Sequence, residues 1–326
     1  MKSIIMSERQ PKTIIKIAIV DYPNSLKSAL YGLEELFQMA NLACRDLAIS
    51  LEFQCDIVNQ NHYKHIDGKG DQAPSYAAII LPPSLQSDYY LAPEQILMAW
   101  LHHHHQRGAV LTSACAGAFI LAATGCLDNK AVTTHWGLAD LFKQQYPQHH
   151  LSVEQILINQ GDVITAGGMM SWLDLGFELV AQFSNPSVMR MVGKMLVVDT
   201  GAREQRYYQQ FSPNYQHGDE AIVAIQHEIN DSYSQSLSVS ALAKQVNLTE
   251  RTFLRRFVKA TGIKPTQYIQ RVRIQKVCDM LESTNHSFEW IANQVGYDDA
   301  SACRKVFFRT MGLTPGDFRK RFSASR

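Results

Sequence analysis

Cysteine is scarce in this chain and carries no pattern. The six cysteines among 326 residues, Cys44, Cys55, Cys115, Cys126, Cys278 and Cys303, show neither metal-ligand nor disulfide-framework spacing. That excludes a small scaffold stapled by metal or disulfides and suits a reducing cytoplasm. Long hydrophobic runs are missing too, so no segment reads as a membrane span. The N-terminus, MKSIIMSERQPKTIIKIAIV, scatters its charges and lacks a separate apolar core with a small-residue cleavage site, so no secretory leader is expected. Net charge is nearly absent at +1, yet that balance hides two unlike halves. Residues 219–326 hold 16 Lys and Arg against 11 Asp and Glu, whereas residues 1–218 hold 15 against 19. A basic C-terminal part joined to a mildly acidic one fits a nucleic-acid-binding module fused to something that does not bind nucleic acid.

What is present, above all, is a repeat. Leu242-Ala243-Lys244-Gln245-Val246, then Phe257, Gly262-Ile263-Lys264-Pro265 and Tyr268, returns as Ile291-Ala292-Asn293-Gln294-Val295, Phe307, Gly312-Leu313-Thr314-Pro315 and Phe318. Each copy reads as a helix-turn-helix, over about 238–260 and 288–310. Leu242, Ala243 and Val246 stripe a first helix, and Asn247 suits a positive φ in the turn. Thr249 offers an N-cap hydroxyl, and Phe253 and Phe257 face inward four residues apart. Gly262 then ends the helix, with Pro265 blocking continuation. In the second copy Phe288, Ile291, Ala292 and Val295 form the stripe, Gly296 closes it, and Asp298 or Asp299 caps the next helix. Arg251, Arg255 and Lys259 are expected on the outer face of one second helix, and Ser301, Arg304, Lys305 and Arg309 on that of the other. Guanidinium pairs bidentately with guanine in the major groove, and two such helices can enter adjacent groove segments about one turn apart. Arg251, Arg255, Ser301, Arg304 and Lys305 are the candidates nearest the bases, and Lys259 and Arg309 the candidates for phosphates.

At these residues the chain resembles the AraC/XylS family of bacterial transcription regulators, over roughly Ala221 to Arg321. The stretch IANQVGYDDASACRKVFFRTMGLTPGDFRKRF is similar to that family's signature region, except that Cys303 stands where a bulky apolar residue is usual, which implies looser packing there. The resemblance implies double-stranded promoter DNA as partner, with RNA polymerase as a further one.

The chain before that basic part alternates strand and helix signals. The β-branched run Ile14–Val20, Leu51–Val58, Ala77–Leu81, Ala109–Thr112, Val153 with Ile156–Ile158, and Val163–Thr165 read as strands. Helical patterns lie over Leu26–Cys44, Glu94–His105, Gly117–Thr124 and Trp172–Phe183. The expectation is an α/β domain over 14–200 with a mostly parallel sheet between helices, a linker over 201–220, and an all-α domain over 221–324. Ligand chemistry in such a domain belongs at the strand carboxyl ends.

One of those ends is distinctive. Val110-Leu111-Thr112-Ser113 runs through Ala114-Cys115-Ala116-Gly117 directly into the helix AFILAAT, placing Cys115 at a sharp strand-to-helix turn beside a helix N-terminus. His135 follows in Val132-Thr133-Thr134-His135-Trp136. This segment resembles the ThiJ/PfpI superfamily, with its glutamine-amidotransferase-like fold and its cysteine on a nucleophile elbow. In catalytic members a carboxylate from the helix after the first strand approaches the cysteine; that position falls near Ala29 here, with Glu34 and Glu35 more than a turn further on, which argues against an enzyme. A ThiJ/PfpI-like domain joined to an AraC-type segment is similar to the GlxA-like regulators, which implies a sensor for a small polar metabolite, no catalytic residues, no cofactor and a homodimer. Asp21, Cys115, Ala116 and His135 are the pocket candidates. Two alternatives stay open on the residues alone, a cysteine hydrolase or amidase and a thiol redox sensor, both using Cys115. The run His102–His105 is expected as solvated surface, because adjacent side chains splay around a helix and cannot all reach one ion.

Overall fold

In a computed structural model, residues 12–63, 75–86, 88–201 and 203–323 are described. The N-terminal stretch read above for a secretory leader falls partly on residues 1–11, outside them. Two compact units divide the chain, Met1–Gln205 and Arg206–Arg326.

In the first unit the β-branched run becomes strand β1 (Thr13–Val20), followed by helix α1 (Lys27–Asp46) and β2 (Leu51–Val58). There follow α2 (Gln60–Tyr63), β3 (Ala78–Leu81), α3 (Asp88–Leu91), α4 (Gln95–Gln106), β4 (Val110–Ala114) and α5 (Gly117–Ala123). The remainder comprises β5 (Ala131–Val132), α6 (Ala139–Gln145), β6 (His150–Leu151), β7 (Leu157–Asn159), β8 (Val163–Ala166), α7 (Trp172–Phe183) and α8 (Pro186–Leu196). The main sheet has the order β2-β1-β3-β4-β8-β7, and every neighbouring pair is parallel except β7 with β8.

Both faces of that sheet are covered, which is why its central strands read as unbroken apolar runs. Ile17, Ile19, Ile80 and Ile164 pack with α1, α7 and α8, while Ala18, Val20, Ile79 and Leu111 pack with residues of α4 and α5. The expected strand at Val153 and Ile156–Ile158 is shorter and shifted, forming as β7, while β5 and β6 pair separately as two-residue strands. Helix α8 lies outside the expected helical patterns, although Asn185 caps it through Ser187 and Val188 and Pro186 opens it.

The second unit is all helix after the 3-10 turn Gln205–Tyr208: α9 (Glu220–Asp231), α10 (Val239–Gln245), α11 (Glu250–Thr261), α12 (Pro265–Ser283), α13 (Phe288–Gln294), α14 (Ala300–Met311) and α15 (Pro315–Phe322). It has two small cores. One gathers Ile222, Ile225, Leu242, Phe253, Phe257 and Tyr268, and the other Ile291, Val295, Cys303, Phe307 and Phe318, with α12 contributing to both. Residues 203–219 are held by side-chain bonds. Arg203 makes a two-point ion pair with Asp174 at 3.0 and 2.6 Å, the Phe211 amide donates to Gln275, and buried Gln226 accepts from His217 and donates to the Asn214 carbonyl.

Among the described residues no helix is long and apolar enough to cross a membrane.

Candidate nucleic-acid interface and the Cys115 turn

The two copies of the repeat fold alike. Asn247 adopts φ 54° in the first turn and Gly296 φ 85° in the second. Thr249 accepts from the Thr252 amide at 3.3 Å to cap α11; Asp299 accepts from the Ser301 and Ala302 amides at 2.8 and 3.2 Å to cap α14. Those amide bonds hold the Asp299 carboxyl below its usual range. Gly262 and Gly312 close the two helices with left-handed φ, as the C-terminal glycines of the repeat require.

Burial along the second helices follows the same rhythm. Phe253 and Phe257 are buried on α11, Cys303 and Phe307 on α14, and the Cys303 side chain is fully enclosed. Arg251, Leu254, Arg255, Val258 and Lys259 are exposed on α11; Ser301, Arg304, Lys305, Phe308 and Arg309 are exposed at the matching positions of α14. Arg251, Arg255, Lys259 and Lys305 are all exposed, and Lys305 lies near enough to Asp299 to help hold that carboxyl down. Arg304 is engaged otherwise. It pairs with Glu289 at 3.1 Å and lies over the Phe288 ring at 5.1 Å. Both partners are half exposed or more, so this ion pair contributes only about 0–1 kcal/mol and yields to a stronger acceptor. Arg309 donates to Gln270 at 3.3 Å.

Three positioning residues carry no signal in the helical periodicity. Arg256 turns back from α11 and holds Asp219, the N-cap of α9, through two bonds of 2.8 and 2.6 Å; this pairing keeps the Asp219 carboxyl below its usual range. Arg273 of α12 donates to three backbone carbonyls, Tyr233 at 2.7 Å, Gly296 at 2.9 Å and Gln235 at 2.8 Å, tying the approach to α10 and the turn between α13 and α14 to one guanidinium. A Cβ on Gly296 would stand 2.3 Å from the Ser234 carbonyl oxygen, so glycine meets both the backbone angle and the close approach. Gln205, the third, belongs to the first unit. Its buried amide donates to the Thr134 and Val153 carbonyls at 3.0 and 2.9 Å and accepts from the Trp136 amide at 2.9 Å.

At the elbow, Cys115 takes φ 54°, a strained conformation for a residue with a side chain. Neighbouring bonds over-determine it. The Cys115 amide donates to the Ala166 carbonyl at 2.8 Å, and the Thr134 hydroxyl donates to the Cys115 carbonyl at 2.8 Å. A Cβ on Gly117 would stand 2.5 Å from the Leu81 carbonyl oxygen, so only glycine lets α5 start this close to β3. The thiol itself is buried among Tyr22, Tyr90 and Phe119, and burial pushes it up to about 12.

The expected pocket residues are thus scattered. Cys115 and Ala116 are both buried. His135 accepts from the Gly137 amide at 3.0 Å through Nδ1 and is held below its usual range by burial; no hydrogen bond joins it to Cys115. Ala29 is buried against the opposite face of the sheet, and Glu34 acts on Cys55, not on Cys115. Asp21 lies in a cleft of about 300 Å³ with Tyr22, Asn24, Lys27, Asn59 and Glu94, at the carboxyl ends of β1 and β2, where it accepts from Ser25 at 2.8 Å and Lys27 at 2.6 Å. Fully buried Tyr22 belongs both to this cleft and to the packing around Cys115.

The histidine run departs from a uniformly solvated reading. His104 is buried against Trp100 and Tyr76, and burial lowers it to about 4. His105 approaches Asp162 at 3.3 Å, and His102 lies 3.9 Å from the Cys126 sulfur. Among the described residues no group of three or more potential ligands could hold a metal ion.

Comparison with known proteins matches both units. Residues 242–321 match the model of a helix-turn-helix domain, and residues 53–182 match the DJ-1/PfpI family. The chain is 26% identical over 224 residues to the HTH-type transcriptional regulator CdhR of Pseudomonas aeruginosa, covering 68% of this chain and 66% of that protein. It is 26% identical over 212 residues to the HTH-type transcriptional regulator GlxA of Rhizobium meliloti, covering 63% and 64%. The chain therefore spans just under two thirds of the length of these relatives. Among solved structures, Drosophila melanogaster DJ-1beta aligns with 58% of this chain and all of its own, at 12% identity and a TM-score of 0.45. The chain thus joins a domain of the DJ-1/PfpI family to a helix-turn-helix domain of the AraC type.

Proposed function

We propose that this protein is a sequence-specific, DNA-binding transcription regulator, acting in the cytoplasm, whose DJ-1/PfpI-type domain senses a small polar metabolite. The observation that carries the reading is the pair of matching outward faces on α11 and α14, each behind a helix and a tight turn and each displaying exposed cations. Arg251, Arg255, Ser301, Arg304 and Lys305 are assigned to bases, and Lys259 and Arg309 to phosphates. The relatives' names as transcriptional regulators support the same class.

The metabolite is assigned to the cleft at Asp21. That cleft is open, carries the charged groups of Asp21, Lys27 and Glu94, and lies at strand carboxyl ends, whereas Cys115 and Ala116 are enclosed. A thiol pushed up to about 12, with no acid or base bonded to it, is a poor nucleophile, which weighs against the amidase and thiol-sensor readings. A homodimer paired on two-fold DNA, contacting RNA polymerase, completes the proposal.

Selection of bound duplexes from a random library tests the first half. Arg251→Ala and Arg255→Ala should each lower affinity for the selected sequence, on a scale of about 1–3 kcal/mol per base contact, and relax its sequence preference, whereas Lys259→Ala should flatten its salt dependence. Equal affinity and unchanged sequence preference would sink the assignment. Thermal-shift screening of amino acids, amines and their methylated derivatives, on the native chain and on Asp21→Asn, tests the second.

A further inference from the structure

The outer faces of α11 and α14 are not uniformly basic, and the exception recurs in both copies of the repeat. Val258 and Phe308 occupy the same repeat position, and both are exposed large apolar side chains, at 39% and 54%. On α11 Leu254, one turn earlier than Val258, is 37% exposed as well. Leu254 and Val258 form a short apolar strip along one edge of the face that bears Arg251, Arg255 and Lys259, while Phe308 stands beside Lys305 and Arg309. Single exposed apolar residues are ordinary on protein surfaces. Here they sit among the exposed cations that would bring each helix against DNA, Arg251, Arg255 and Lys259 on α11 and Lys305 with the Gln270-bonded Arg309 on α14. Pressed into a major groove, an apolar strip has no use for phosphate or for base-edge donors and acceptors. The one apolar group a base edge offers there is the C5 methyl of thymine.

We infer that the two helices read thymine methyl groups, α11 through Leu254 and Val258 and α14 through Phe308, so that each of the two groove segments contains an A·T pair at a fixed place beside the contacts of the cations. This rests on the DNA-binding reading above and specifies its base chemistry. It also accounts for the repeat's unequal positions. Where α11 has Leu254, α14 has Arg304, which is drawn to Glu289 and the Phe288 ring, leaving Phe308 as the apolar reader of the second helix.

Uracil provides the test, since it differs from thymine only by the missing methyl and keeps every hydrogen-bonding atom. The full chain is used to select a bound sequence from random duplexes, and each thymine of that duplex is then replaced by uracil in turn. Sensitive thymines are expected in two clusters about one helical turn apart, with roughly a fourfold loss of affinity per methyl removed. Leu254→Ala with Val258→Ala should abolish the sensitivity of one cluster, and Phe308→Ala that of the other, with circular dichroism unchanged because all three side chains lie at the surface. A selected sequence bound equally well with uracil throughout overturns the inference while leaving DNA recognition intact. So does retention of uracil sensitivity in the alanine variants, which would assign the methyl contacts to other side chains. Failure of the native chain to enrich any sequence would instead overturn the underlying reading.

Discussion

Arg273→Met should unfasten the two helix-turn-helix units from each other. The guanidinium donates three hydrogen bonds of 2.7–2.9 Å to the carbonyls of Tyr233, Gly296 and Gln235, and it lies over the Tyr297 ring at 5.4 Å. Methionine keeps most of the stem's apolar packing, so the loss isolates the polar head. At about 1 kcal/mol net for each bond, with some rehydration of these partly buried carbonyls, the expected destabilisation is roughly 2–4 kcal/mol. For a unit of this size that lowers the melting temperature by about 10 °C, read as the C-terminal transition in scanning calorimetry of the full chain. Lysine should recover less than half of it, since a single ammonium cannot fork across three carbonyls. DNA affinity is the second readout. Because the three acceptors fix both the approach to α10 and the turn before α14, binding to a site with two groove segments should weaken more than binding to a duplex carrying one. A C-terminal transition within about 2 °C of the native value, together with an unchanged ratio of two-segment to one-segment affinity, would refute the reasoning.

Cys115, with its thiol pushed up to about 12, should resist iodoacetamide at pH 8 in the native protein and react readily once the chain is unfolded in guanidinium; peptide mapping that finds it labelled natively would restore the thiol-sensor reading. Gly117→Ala places a methyl 2.5 Å from the Leu81 carbonyl oxygen and should destabilise the first unit by about 1–3 kcal/mol; an unchanged melting transition would show that the close approach at β3 is unimportant. His104 is held at about 4 by burial, below its unfolded value, so its neutral form contributes stability that is fully present above about pH 6.5 and is lost as pH falls towards 4. The contribution is up to about 3 kcal/mol, and urea titrations of native and His104→Phe proteins across that window should diverge as the pH drops; parallel curves would count against it.

The parts of the fold that were legible in the chain are those specified by neighbours in sequence. Ile14–Val20, the helical stripe from Leu26 and the caps Thr249, Asp299 and Gly262 each depend on residues within one or two turns, and they form where the pattern puts them. β5 and β6 escaped because two-residue strands are too short to alternate. Arg256 is a finer case. It sits one residue from Arg255, and that single step of the helix turns it towards Asp219 and away from the outer face. Helical spacing from Phe253 and Phe257 does place position 256 at the edge of the buried face; what no local pattern supplies is the acceptor, 37 residues earlier. Arg273 is less legible still, because its three acceptors are backbone carbonyls, which leave no mark on residue identity.

Cys115 separates the two kinds of information most sharply. Small residues between a buried strand and a helix were enough to locate the turn, and the turn forms with the cysteine in its left-handed conformation. A helix N-terminus favours thiolate, so position alone pointed to a reactive group. Tyr22, just past β1, and Tyr90 of α3 share the buried cluster with the sulfur and reverse that inference, because burial outweighs the neighbouring amide at Ala116. Both tyrosines come from elements well before the cysteine in the chain, and nothing in their local sequence marks them as its wall. Tyr22 also borders the Asp21 cleft, with its hydroxyl donating to the Pro82 carbonyl. The elbow is therefore a packing solution around an aromatic core, and the open cleft lies on the other side of Tyr22, at Asp21.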